Sequence, residues 1–148
     1  MNIRDNGYWA FYESSKEYIF DPNKSGKWMC FYKSLGHDYT FGEIEDICKK
    51  SVAENIVKTC KHTSIDSVDS SGSGVICFYL NSDDTDSHKA IIKFIIENKL
   101  IKRTKSGKLT NIAFKLDKQT IDNQYGEKFN ATIKLSDFID LMTGEFIG

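Results

Sequence analysis

The chain is poor in the features that would declare a chemistry at once. It has a single proline, Pro22, among 148 residues, so no proline-rich linker is expected. No apolar run approaches the ~20 residues that a membrane-spanning helix needs. The first residues, MNIRDNGYWAFYE, lack an apolar stretch followed by small residues, so no secretory leader is expected there. Opposite charges nearly cancel, with 20 basic and 21 acidic residues. Whole-chain charge therefore argues neither for nucleic acid nor against it. The four cysteines, Cys30, Cys48, Cys60 and Cys77, form no C-x-x-C pair. Each lies in an apolar stretch and reads as a small buried hydrophobe in a reducing cytosol, which makes a cytoplasmic location the expectation. No nucleotide-binding glycine loop, metal-spaced His/Cys set or catalytic triad is evident, so no metal and no cofactor are expected. A binding protein is expected ahead of an enzyme.

What the chain has is aromatic and apolar residues in short alternating runs. Aromatics make up 13% and all hydrophobics 40%, enough for a folded core. The length fits one domain over 1–148. Tyr8 to Glu13 and Lys27 to Lys33 read as strands, with a short run from Glu17 to Phe20 pairing with the first. Asp21-Pro22-Asn23-Lys24-Ser25-Gly26 is turn chemistry. Thr40 and Glu43 fit a capping box, and Ile44, Ile47, Cys48, Val52 and Ile56 follow at helical spacing, so a helix is expected over 41–56. Val57 to Ser64 alternates like a strand, and Asp66 to Gly74 has the composition of a flexible loop. Val75 to Leu80 is apolar throughout and reads as a central strand. A second helix is expected over 88–101, capped by Asp86 or Ser87. Beyond the turn Lys105–Lys108, strands are expected at Leu109 to Leu116 and Phe129 to Ile133, then a short helix capped by Ser136 and stopped at Gly144. The fold class that follows is α+β: a curved, mainly antiparallel sheet with two long helices on one face and a short C-terminal helix.

Several pieces resemble a known family in the same order. They are Gly26-Lys27-Trp28 leading a strand, the polar strand Lys58 to Ser64, Val75-Ile76-Cys77-Phe78-Tyr79 followed by Asp83 and Asp84, and Phe114-Lys115-Leu116-Asp117 with Thr120 and Tyr125. This pattern resembles the basophilic-leukaemia-expressed protein family, also called phosphothreonine-lyase-domain proteins, over about residues 8 to 126. The family's histidine ahead of the V-I-C strand is replaced here by Ser73 and Gly74. The resemblance implies a fold like that of the cap-binding translation initiation factors, a curved antiparallel sheet with helices on its convex side.

Local charge is strongest between Lys99 and Lys118. Lys99, Lys102, Arg103, Lys105, Lys108, Lys115 and Lys118 stand against Asp117 alone, a local net charge of +6. Lys102, Arg103, Lys105, Lys108 and Lys115 are the candidate ligand-binding residues, for a nucleotide, RNA or an acidic protein surface. The competing reading is a helix end and a solvated turn. A different class of function fits nearly as well: a protein-interaction module, such as a small phage- or mobile-element-encoded inhibitor of a host protein. Trp9 and Trp28 lie within strands and read as core rather than as a base-binding sandwich. Lys61 and His62 are the nearest approach to a lyase pair, but neighbours on a strand face opposite ways. His88, at a helix start, is expected to be exposed, and His37 is the third histidine.

Overall fold

The computed structural model describes residues 1–33, 40–118 and 133–147. His37, Thr120, Tyr125 and most of the expected strand Phe129–Ile133 lie outside the described residues. The chain is α+β, with strands β1 (Asn2–Asp5), β2 (Trp9–Glu13), β3 (Ser25–Lys33), β4 (Thr59–Thr63), β5 (Ser73–Asn81), β6 (Ala113–Leu116) and β7 (Ile133–Lys134). The helices are α1 (Phe41–Ala53), α2 (Ile65–Ser71) and α3 (Thr85–Glu97). The strands hydrogen bond in the order β1-β2-β4-β5-β3-β6-β7. The expected central strand is thus central, and Ile76 and Phe78 within it are fully buried. The β1/β2, β2/β4, β4/β5, β3/β6 and β6/β7 pairings are antiparallel. The chain groups into two compact units, Met1–Ile19 with Cys30–Tyr79 and Phe20–Met29 with Leu80–Gly148.

In the first unit, alternation along β2 and β4 buries Ala10, Tyr12, Cys60 and His62 while Trp9, Phe11, Lys61 and Thr63 stay partly exposed. Helix α1 covers the buried side: the Phe41 ring lies edge-on to His62 with centroids 5.3 Å apart. Ile44, Cys48 and Val52 form its inward stripe. Thr40 caps α1 by accepting from the Glu43 N–H at 3.2 Å. The helix ends at Ala53 rather than 56, because Asn55 adopts a left-handed φ of 56°. β1 is an element that alternation does not announce, since all four of its residues are exposed. It is joined to β2 through Asn6-Gly7, where Gly7 takes φ 88° and Asn6 Oδ1 accepts from the N–H groups of Tyr8 and Trp9. Both edges of β2 are therefore occupied, by β1 and β4, which is why Glu17–Phe20 forms no strand there. The expected loop Asp66–Gly74 is instead most of helix α2 followed by the start of β5: Val68 is buried and Gly72, at φ 76°, closes the helix with its N–H on the Val68 carbonyl.

The second unit is built around a buried aromatic cluster. Helix α3 spans Thr85–Glu97, not 88–101, because the cap is Asp84. Its carboxylate accepts from the Ser87 N–H at 3.1 Å and from the Ser87 hydroxyl at 2.7 Å. Asn98 then ends the helix, with its side-chain amide on the Phe94 carbonyl and Lys99 following at φ 55°. With the cap at Asp84, His88 lies a full turn inside the helix on the same side as Ile91, Ile92 and Ile95, so it is buried rather than exposed. The strand expected over Leu109–Leu116 shortens to Ala113–Leu116, although Leu109 still bridges Arg103 across the Lys105–Lys108 turn. The expected C-terminal helix is only a 3₁₀ turn, Leu135–Asp137. Ser136 does not cap it. Its N–H and hydroxyl are held by the Asn111 side chain at 2.9 and 3.0 Å, and Met142, expected inward, is exposed. Gly144 does sit in a tight turn, at φ 78° with its N–H on the Asp140 carbonyl.

Candidate functional site

The two buried histidines define what the chemistry near them can be. In the first unit, His62 Nδ1 lies 2.8 Å from the Thr63 carbonyl, which can only accept, so Nδ1 carries the proton. Nε2 then accepts from the Tyr12 hydroxyl at 2.9 Å. In the second unit, the Trp28 indole N–H donates to His88 Nδ1 at 2.9 Å, and His88 Nε2–H donates to the Ser82 carbonyl at 2.8 Å. Phe138 stacks on His88 and Phe114 meets it edge-on, with centroids 5.1 and 5.0 Å away. Burial pushes both histidines below their ordinary value, against a smaller opposing effect of those carbonyl bonds. Each is thereby held as one neutral tautomer, a buried bridging group and not a proton donor facing solvent. Lys61 stands on the other face of β4 from His62, as alternation requires, so the two do not address one substrate.

That other face is where the first unit presents chemistry outward. The registers align Arg4, Phe11, Lys61 and Cys77 as one cross-strand row from β1 to β5. Strand spacing makes the row roughly 14 Å long. Trp9 lies two residues along β2 and Tyr79 two residues along β5, so both are diagonal neighbours of Lys61. The Lys61 ammonium is 3.7 Å from the centroid of the Trp9 ring, 5.7 Å from that of Tyr79 and 5.8 Å from that of Phe11. The Arg4 guanidinium lies 4.9 Å over the same Phe11 ring. Such contacts contribute about 0.5–2 kcal/mol each, the upper end when desolvated. Arg4 also approaches Glu13 at 4.0 Å, an exposed pair of little energetic weight. On β3, Phe31 alternates with buried Cys30 and Tyr32 and is 70% exposed. Half-exposed rings interleaved with cations form a surface on which planar groups stack and anions are attracted.

The basic residues singled out from the sequence divide into two groups. Lys102, Arg103, Lys105 and Lys108 are exposed on one tight turn. Its base is closed by the Thr104 N–H on the Lys108 carbonyl and by Thr110, whose N–H and hydroxyl both donate to the Lys102 carbonyl. Arg103 serves this turn: its guanidinium donates to the carbonyls of Gly107 and Met142 at 2.6 and 2.9 Å. A cleft of about 330 Å³ opens beside it, lined by Lys99 and Arg103 and floored by Ile96, Ile101 and Leu109. Lys115 does not join that turn. It lies on β6 directly opposite Lys27 of β3 and is only 7% exposed. Lys27 binds Asp117 at 2.9 Å, and Ser25 donates to the other oxygen of that carboxylate. Burial, then the neighbouring Lys27, lowers the affinity of Lys115 for its proton.

The four cysteines are all buried in the first unit, as their apolar neighbours suggest. Burial holds the Cys30 and Cys48 thiols well above their ordinary range, so they are poor nucleophiles. Among the described residues no group of three or more His, Cys, Asp or Glu side chains is arranged to hold a metal ion. Among the same residues no helix is long and apolar enough to cross a membrane. Sequence reasoning missed the Trp9–Phe11–Lys61–Tyr79 cluster. The period-2 alternation of W-A-F and of K-H was visible, but which strands lie side by side was not. No protein-family model, curated protein or solved structure matches the chain.

Proposed function

We propose that the protein binds a phosphate-bearing ligand with an unpaired base, single-stranded RNA or a nucleotide, and does so without catalysis. The observation that carries this reading is the outward face of the first unit, where Trp9, Phe11 and Tyr79 surround Lys61 and Arg4 covers Phe11. Bases stack on exposed rings without strong sequence preference, and flanking cations neutralise phosphates. The exposed turn carrying Lys102, Arg103, Lys105 and Lys108 supplies a second positive surface in the other unit. The rival reading, a protein-interaction module, draws on the exposed Tyr8, Ile19 and Phe31, which resemble apolar anchors.

Tryptophan fluorescence separates the two. Trp28 is fully buried and Trp9 is not, so a ligand on the open face quenches Trp9. Titration with an eight-nucleotide oligoadenylate should quench the emission and weaken steeply with salt, the slope of log K against log salt being roughly −0.7 per phosphate contacted. A matched duplex, whose bases are already stacked, should bind more weakly. An absence of quenching, or quenching indifferent to salt, sinks the nucleic-acid reading and leaves the interaction module.

A further inference from the structure

We infer that Lys61 is a specificity-determining residue of this face: it occupies the Trp9 ring in the free protein and yields it to ligands that offer a phosphate in return. The inference rests on the nucleic-acid reading of the same surface. Its starting point is that the protein's own Lys61 ammonium lies over the Trp9 ring, 3.7 Å from its centroid. The site is thus partly filled by an intramolecular ligand. The same ammonium lies within 6 Å of two further ring centroids, Tyr79 and Phe11, so displacing it loosens three contacts together. A base that stacks on the lysine-covered side of Trp9 has to move Lys61 aside. An uncharged base or an apolar peptide side chain brings no anion to the displaced cation. A nucleotide brings an anion within reach of the same flexible stem, and the ammonium exchanges ring faces for a phosphate oxygen.

The position of Lys61 suits this exchange. It lies mid-row, with Phe11 directly across on β2 and Trp9 diagonal to it, so its stem reaches ligands seated on those two rings. Arg4 lies further along the row, over the Phe11 ring at 4.9 Å. Removing the charge at residue 61 should therefore act in opposite directions on two ligand classes. That signature distinguishes a selectivity residue from an ordinary phosphate contact, whose loss weakens charged ligands and leaves neutral ones unchanged.

The test uses Lys61→Met, which keeps most of the stem and removes the charge, and Lys61→Arg, which keeps the charge. Adenosine and the eight-nucleotide oligoadenylate are the probes, followed by Trp9 quenching, with circular dichroism confirming the fold of each variant. In Lys61→Met, adenosine should bind roughly two- to five-fold tighter, the equivalent of one exposed cation–π contact. The oligonucleotide should bind roughly three- to ten-fold more weakly at about 0.1 M salt, with a salt slope shallower by roughly 0.7. Lys61→Arg should retain the wild-type preference for the oligonucleotide. If wild type binds the oligonucleotide and Lys61→Met shifts both probes in one direction, or shifts neither, the inference about Lys61 is overturned while the binding reading stands. If wild type is quenched by neither probe, the reading of the whole face fails and the role of Lys61 with it.

Discussion

Trp9 in the first unit and Trp28 in the second are both strand residues, yet they are used in opposite ways. Trp28 is fully buried, donates to His88 and meets Phe114 and Phe138 edge-on. Trp9 lies outward beneath the Lys61 ammonium. Among the described residues, each unit also has one buried histidine. His62 bridges Tyr12 to a backbone carbonyl, and His88 bridges Trp28 to another. The same residue types therefore supply core in one place and a candidate recognition surface in the other. Which of the two happens depends on strand parity and on what covers that side of the strand, not on residue identity.

The largest effect that sharpens this contrast is on stability. Trp28→Ala should destabilise the fold by about 3–5 kcal/mol, because it empties a full-sized core position and leaves His88 Nδ1 without its donor. Trp9→Ala should cost less than about 1 kcal/mol, since the ring is partly exposed, while abolishing the quenching by oligoadenylate. Urea denaturation of the two variants measures both. Equal losses would break the comparison.

Next in size is the response to acid, in which the two units should behave alike. Both histidines have folded pKa values below the ordinary ~6.5. Above that value the folded and unfolded states are both neutral, and the histidine contribution is fully present. As pH falls below about 6.5 the unfolded chain takes up protons that the folded chain refuses, so stability declines by up to about 1.4 kcal/mol per pH unit for each histidine. Denaturation midpoints between pH 7.5 and 5 should show this decline. His62→Gln and His88→Gln should each reduce its slope. A slope unchanged in both variants would show that neither histidine is held neutral by its bridge.

The smallest effect concerns the basic turn. Lys102, Lys105 and Lys108 are exposed, so changing all three to Glu should alter stability by no more than about 0.5 kcal/mol. If the turn assists an anionic ligand, the same variant should weaken oligoadenylate binding and flatten its salt dependence. If it is only a solvated turn, binding will match wild type. Arg103 is left out of this set because its guanidinium holds the carbonyls of Gly107 and Met142.

Much of the fold was legible from sequence. The strands around Ala10, Cys30, Cys60 and Phe78 and the helix after Thr40 all occur close to where periodicity and capping place them. The misses have local causes. Asp66–Gly74 looked like a loop because serine and aspartate dominate it, yet one buried Val68 and a left-handed Gly72 suffice for two helical turns. β1 was invisible because none of its residues is buried, although Asn6-Gly7 marks the turn that forms it. His88 was misplaced because three acidic residues compete for one cap, and a start at Asp84 rather than Asp86 puts His88 a full turn into the helix, on the buried stripe with Ile91, Ile92 and Ile95.

The candidate site shows where local information stops. By itself the sequence determined the α+β class, the central strand, the first helix and the burial of the cysteines, because periodicity and propensity are properties of neighbouring residues. It also determined that Lys61 and His62 face opposite ways, since strand geometry alone demands it. Only the tertiary structure decided that Lys115 sits buried opposite Lys27, apart from the lysines of the turn, and that Lys61 sits among Trp9, Phe11 and Tyr79. These are cross-strand relations between residues as far as 88 positions apart. They are set by register and strand order, which hydrogen bonding and burial of the whole sheet select together.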